Sequence, residues 1–171
     1  IGMSSAMSGA RARIETNTGF VETREPTNFG GGYSSVISYL QSDVKTIFST
    51  FRAFVSLKSN GRVVVWGDSG FCGDSSSVIS SLQSGVKTIF STWGAFAALK
   101  INGKVITWGA LDDGGDSSSV MSYLQSDVKT MFSTDAAVAA LKLNAKVITW
   151  GCPDEGGDSS NVLSYIQSGV K

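Results

Sequence analysis

Apolar residues in this chain come in short bursts, and the bursts recur in a fixed order. Val86-Lys87-Thr88-Ile89-Phe90-Ser91 is rich in β-branched and aromatic residues and reads as a strand (A). Ala95–Lys100 reads as a second strand (B), whose alanines suit close approach of neighbouring backbones. Lys104-Val105-Ile106-Thr107-Trp108 alternates with period two, the mark of a third strand (C). Between B and C lies Asn102-Gly103, the pair favoured where both central residues of a tight hairpin turn need positive φ. Ahead of A, Gly73-Asp74-Ser75-Ser76-Ser77 precedes Val78–Gln83. Asp and Ser accept hydrogen bonds from free helix N–H groups, so this predicts a capped helical turn with Val78 and Leu82 facing inward. Gly85 is placed to end that turn with positive φ.

The unit repeats every 42 residues. Val36, Val78, Val120 and Val162 share a slot, as do Trp66, Trp108 and Trp150, and Val78–Gly109 differs from Val120–Gly151 at nine of 32 positions. A repeat this strict implies an architecture in which each unit buries its apolar face against the next. The units divide as about 33–74, 75–116 and 117–158, with a partial copy over 159–171. The third hairpin carries Asn144-Ala145, and alanine at positive φ costs roughly 1 kcal/mol against glycine. Residues 1–32 show no copy of the unit and read as an extended arm. Met3–Arg13 has no acid before Glu15, which fits either a flexible arm or the remnant of an organelle transit segment. Thr16–Gly32, with Pro26 and three consecutive glycines, looks extended. The ends, Ile-Gly-Met and Gly169-Val170-Lys171, suggest a piece of a longer array.

The net charge is zero, which argues against general nucleic-acid affinity. No apolar run reaches the roughly 18–20 residues of a membrane span. Histidine is absent, removing the commonest general base and metal ligand together. Cys72 and Cys152 occupy different slots about two repeats apart, so two free thiols are expected.

The pattern Val86, Ile89, Ala98-Leu99-Lys100, Asn102-Gly103 and Lys104–Gly109 resembles the repeat of the regulator-of-chromosome-condensation family. The short unit is also similar to the blades of secreted bacterial β-lactamase-inhibitor propellers, and the Gly-Asp-Ser-Ser-Ser arrays are similar to algal repeat proteins. The resemblance covers Tyr33 to Lys171. It implies a mainly β fold: a partial or open β-propeller of 42-residue repeats, each three antiparallel strands plus a short helical turn. It implies little about function, because propellers are scaffolds for unrelated tasks. The histidine common in the family's second strand is missing, with Ala53, Ala95 and Ala137 near its slot.

Strand direction puts the A–B connection and the segment after Trp-Gly at one end of each unit, and the Asn-Gly hairpin at the other. The first end varies between copies. Its residues are Phe51 and Arg52, Trp93, Asp135, then Asp68 and Phe71, Leu111, Asp112 and Asp113, and Asp154 and Glu155. Apolar anchors, here Phe51, Trp93, Phe71 and Leu111, ringed by acids are the usual make-up of an interface hot spot, so these eleven residues are the candidate partner-binding set. Loops also vary where nothing constrains them, and both readings stay open. The hairpin end is nearly constant and basic: Lys58 and Arg62, Lys100 and Lys104, Lys142 and Lys146. Those cations either solvate strand ends and discourage edge pairing or dock onto an anionic surface. Trp66, Trp108 and Trp150 read as packing rather than a ligand platform. Asp74, Asp116 and Asp158 read as caps rather than anion sites.

No catalytic constellation emerges. Asp112-Asp113 and Asp154-Glu155 are adjacent and would point apart, serine has no base partner, and no phosphate loop has recognisable spacing. No cofactor and no metal are expected. The expected role is a protein-interaction scaffold or accessory subunit of a larger assembly. An enzyme inhibitor and, by resemblance alone, a small-GTPase regulator are the alternatives.

Overall fold

The computed structural model describes residues 3–5, 11–15, 17–24 and 34–170. Each predicted three-strand unit forms a separate antiparallel sheet. After an N-terminal sheet of β1 (Met3–Ser5), β2 (Arg11–Ile14) and β3 (Val21–Arg24), the first blade contains β4 (Val44–Ser49), β5 (Ala53–Lys58) and β6 (Val63–Gly67). The second contains β7 (Val86–Ser91), β8 (Ala95–Lys100) and β9 (Val105–Gly109), and the third β10 (Val128–Ser133), β11 (Ala137–Lys142) and β12 (Val147–Gly151). Strand C therefore runs one residue later at each end than its alternation suggests. This is an open run of β-propeller blades, as the repeat implies.

The core lies between blades. Val55, Leu57 and Val63 of the first blade meet Leu82, Val86, Ile89, Phe96, Ile106 and Trp108 of the second. Ala97, Leu99 and Val105 of the second meet Leu124, Val128, Met131, Val138 and Trp150 of the third. Period-two alternation explains this, because each strand shows one apolar set to the blade before and another to the blade after. The repeated tryptophans are buried, and Trp66 and Trp108 lie against Phe54 and Phe96 with ring centroids 5.4 Å apart in both pairs.

Backbone bonds tie the blades in series. The carbonyl of each hairpin turn accepts a backbone N–H from the next unit: Gly19 from Val44, Gly61 from Val86, Gly103 from Val128 and Ala145 from Val170, at 3.0–3.3 Å. All four turn residues have positive φ, Ala145 at 65° included.

The Ser-rich segments form short 3₁₀ turns at Ile37–Tyr39, Ile79–Leu82 and Ser118–Leu124, and the partial copy ends in α1 (Leu163–Ile166). Leu40, Leu82 and Leu124 are their buried anchors. Asp74, Asp116 and Asp158 each accept the N–H of the serine two residues on, at 2.8 Å. That bond, seconded by the serine hydroxyl, holds each carboxyl below the usual carboxylate range. A lowered folded pKa gives stability that is full above the unfolded value, near about 3.9, and is lost as pH falls through the folded one. The urea midpoint is therefore expected to drop below about pH 4, and replacing all three aspartates by asparagine should flatten that part of the profile. Unfolding curves between acidic and neutral pH check this.

The described residues of the N-terminal segment, expected as an extended non-repeating arm, form a sheet. Ala12, Ile14 and Val21 bury one side of the β1–β3 sheet against Leu40, Val44, Ile47, Phe54, Val64 and Trp66 of the first blade. The extended Thr16–Gly32 reading covers residues 16 and 25–32, which lie outside the described set, as do 6–10 of the possible transit segment.

Candidate interaction surface

Each A–B corner begins with a threonine that staples it. Thr50, Thr92 and Thr134 accept the N–H of Ala53, Ala95 and Ala137 on their hydroxyls, at 3.2, 2.9 and 3.0 Å. The two residues between threonine and alanine are where the copies differ. The corner is thus a constant frame carrying changeable side chains.

The corners are also joined to one another. The N–H of Phe51 donates to the Trp93 carbonyl at 3.0 Å, and the N–H of Trp93 donates to the Asp135 carbonyl at 2.6 Å. Residues one repeat apart thus form a ladder across successive blades. On it the Phe51 and Trp93 rings stack with centroids 4.7 Å apart and planes 23° apart. Trp93 still exposes 43% of its surface. The Arg52 guanidinium lies 5.2 Å from the Phe51 ring centre and 3.4 Å from the Asp68 carboxylate.

The loops after strand C fold onto the same end. Asp68, Ala110 and Cys152 donate their N–H groups to the carbonyls of Arg52, Gly94 and Ala136, at 2.8–3.0 Å. Each loop then closes through a wide turn, in which Gly73, Gly115 and Gly157 donate back to Asp68, Ala110 and Cys152. The Asp113 carboxylate rests over Gly94, where a Cβ would collide with it. Partial burial and then the neighbouring Asp112 push its pKa upward.

The expected set therefore divides. Phe51, Arg52, Asp68 and Trp93 form one contiguous cluster, with Asp135 beside it on the ladder. Asp113 sits at the next corner over Gly94. Leu111 and Asp112 are exposed and line a groove of about 610 Å³ with Pro153, Trp150 and Asp158. Asp154 and Glu155 are exposed in the last loop's 3₁₀ turn. The Phe71 side chain lies outside the described residues.

Two features escaped the sequence reading. Lys58, Lys100 and Lys142 reach the carbonyls of Tyr39, Ser81 and Tyr123, closing the 3₁₀ turns 19 residues upstream. The first lysine of each basic pair is thus a helix-end cap, favoured because unpaired carbonyls carry negative charge there. Arg62 lies 4.5 Å from the Tyr39 ring centre. The constant 19-residue spacing was the available signal. The second feature is an exposed apolar series at 42-residue spacing, Ile37, Ile79, Met121 and Leu163. It comes from the same helical turns that send Val78 and Leu82 into the core.

Cys72 occupies the slot of Gly114 and Gly156, and all three have positive φ. Its thiol lies 3.1 Å from the Thr50 hydroxyl. Burial pushes its pKa up to about 12, against the Thr50 hydrogen bond and with a smaller push from Asp113 and Asp68. Both cysteines are free, as expected. A disulfide-exchange reagent at pH 8 should label Cys152 in the native protein and reach Cys72 only on unfolding. One equivalent released before denaturant and two after would show it.

No helix among the described residues is long and apolar enough to cross a membrane. No protein-family model and no curated protein matches the chain. Its fold does match solved structures, and the class they define is the β-propeller. The ectodomain of the receptor kinase CR4 from Physcomitrella patens is 17% identical with a TM-score of 0.53, over 83% of this chain and 37% of that one. The ectodomain of the Arabidopsis thaliana receptor kinase ACR4 is 10% identical with a TM-score of 0.55, over 88% and 49%. More particularly, yeast RCC1 (Prp20), in its complex with Kap60, is 15% identical with a TM-score of 0.53, over 83% and 40%. The blades are therefore RCC1-like β-propeller repeats in fold, and the chain spans half or less of the length of these proteins.

Proposed function

We propose that this protein is a non-catalytic interaction module, a scaffold or accessory subunit of a larger assembly, that binds a protein partner through the A–B corners and the loops after strand C. The observation that carries this reading is the Phe51–Trp93 stack. A large aromatic pair is held on a backbone ladder, flanked by Arg52 and Asp68, and left substantially exposed. Interface hot spots are enriched in Trp, Tyr and Arg and depend on anchors that are rigid before binding. The corner frame is constant while its side chains change, so successive blades can offer different contacts on one fold. The solved neighbours support the class of role: one yeast RCC1 structure is bound to Kap60, and another study of Prp20 concerns its binding to Gsp1p and histones.

The test is quantitative capture by the immobilised full chain. Phe51→Ala with Trp93→Ala should abolish recovery of the partner, while Lys104→Glu with Lys146→Glu at the hairpin end should leave it intact. The opposite pattern would move the interface to the hairpin end.

A further inference from the structure

We infer that the β1–β3 sheet is a diverged fourth blade that caps the array: one face is kept for the core, and the other has been rewritten in charge. The strand register carries this. In β2 and β3 the pairs are Ile14 with Val21, Arg13 with Glu22, Ala12 with Thr23 and Arg11 with Arg24. In β5 and β6 they are Leu57 with Val63, Ser56 with Val64, Val55 with Val65 and Phe54 with Trp66. The two ladders superpose pair for pair.

The hairpin turn agrees. Gly19 has φ of 67°, Gly61 has 78°, and each gives its carbonyl to the first N–H of the following A strand. A Cβ on Gly19 would meet the backbone of Asp43 and Val44, as one on Gly103 would meet Asp127 and Val128.

On the inward face the apolar character survives. Ala12, Ile14 and Val21 stand where Val55, Leu57 and Val63 stand, and both sets enter the core of the next blade. On the outward face it is gone. The slots of Phe54, Ser56 and Val64, all buried against this sheet, hold Arg11, Arg13 and Glu22, all exposed. Arg24 takes the register position of Trp66.

Stacked repeats need terminal units with a polar outer face, since an apolar end face accepts another unit. Adding a blade of the kind repeated here would bury two or more charges against apolar side chains without partners, which is strongly unfavourable. This end of the stack therefore refuses a further blade, and a molecule that contacts it meets a charged sheet.

Hydrogen exchange on the full chain tests whether the blade is formed. The β2 amides and the Val44 amide should be protected to the same order as the β5 and Val86 amides. Exchange of β2 at unstructured rates would overturn the inference. Val21→Asp should lower the melting temperature by more than about 5 °C, and an unchanged melting temperature would also overturn it. The outward face is tested by restoring the blade residues, Arg11→Phe, Arg13→Ser and Glu22→Val together. Concentration-dependent self-association in light scattering is expected, absent in an Arg11→Lys, Arg13→Lys control. A triple variant that keeps the wild-type mass at every concentration would overturn the capping role.

Discussion

Trp108→Ala is expected to destabilise the chain by about 3–5 kcal/mol, against a total of about 5–15 kcal/mol for a domain. Trp108 is buried in the core between the first and second blades, beside Phe96 and within reach of Ala53 and Val55. Truncation leaves a cavity at an interface, and in a linear stack the interfaces carry the coupling between units. The loss should appear as a lower urea midpoint and as early exchange in both adjoining blades. Trp93→Ala is the control, and its cost should stay within about 1 kcal/mol because the ring is substantially exposed.

The indole nitrogens sharpen the test. Trp150 donates its N–H to the Gly114 carbonyl at 3.0 Å, whereas the Trp108 N–H meets no acceptor among the described residues. The equivalent loop position before Trp108 is Cys72, whose backbone carbonyl does not accept the Trp108 N–H. Trp150→Phe removes a buried hydrogen bond and orphans a carbonyl, while Trp108→Phe removes a buried donor that has no partner. The first should therefore cost about 1–3 kcal/mol more than the second. Equal losses would show that shape alone decides the site.

The blades were legible because their signals are local and repeated. Asn102-Gly103 marks a hairpin by its own backbone preference, and alternation in Lys104–Trp108 marks a strand. The slots of Asp74 and Leu82 recur three times with the same outcome. The N-terminal blade was not legible for a physical reason. Its hairpin holds one more residue between the paired positions Ile14 and Val21 than lies between Leu57 and Val63. Only β3 therefore keeps the 42-residue offset, and β2 falls one residue out of step. Its outward slots also carry Arg and Glu, so the apolar pattern that identifies a blade is half erased. For the candidate surface, strand direction and variation between copies gathered these residues at one end of each unit, and the structure brings Phe51, Arg52, Asp68 and Trp93 together there. The stack of Phe51 on Trp93 could not be read from the chain, because it depends on how one blade is rotated against the next.

Phe51→Ala and Trp93→Ala, each alone, should weaken partner binding by about 30-fold or more, the effect of a hot-spot loss near 2 kcal/mol. The two rings bury part of each other, so removing either exposes and loosens the other. The double variant should accordingly lose less than the sum of the singles. Arg52→Ala should cost less than either ring, because its contact with Asp68 is a partly exposed ion pair at 3.4 Å, a class worth at most about 1 kcal/mol. Its contribution should shrink further in high salt, while the aromatic contribution should not. Titration calorimetry of the full chain with its partner at two ionic strengths separates these terms. Aromatic variants that bind like the wild type would place the interface elsewhere. The exposed Ile37, Ile79, Met121 and Leu163 series would then be the next surface to substitute, since it is apolar, accessible and repeated at the same pitch.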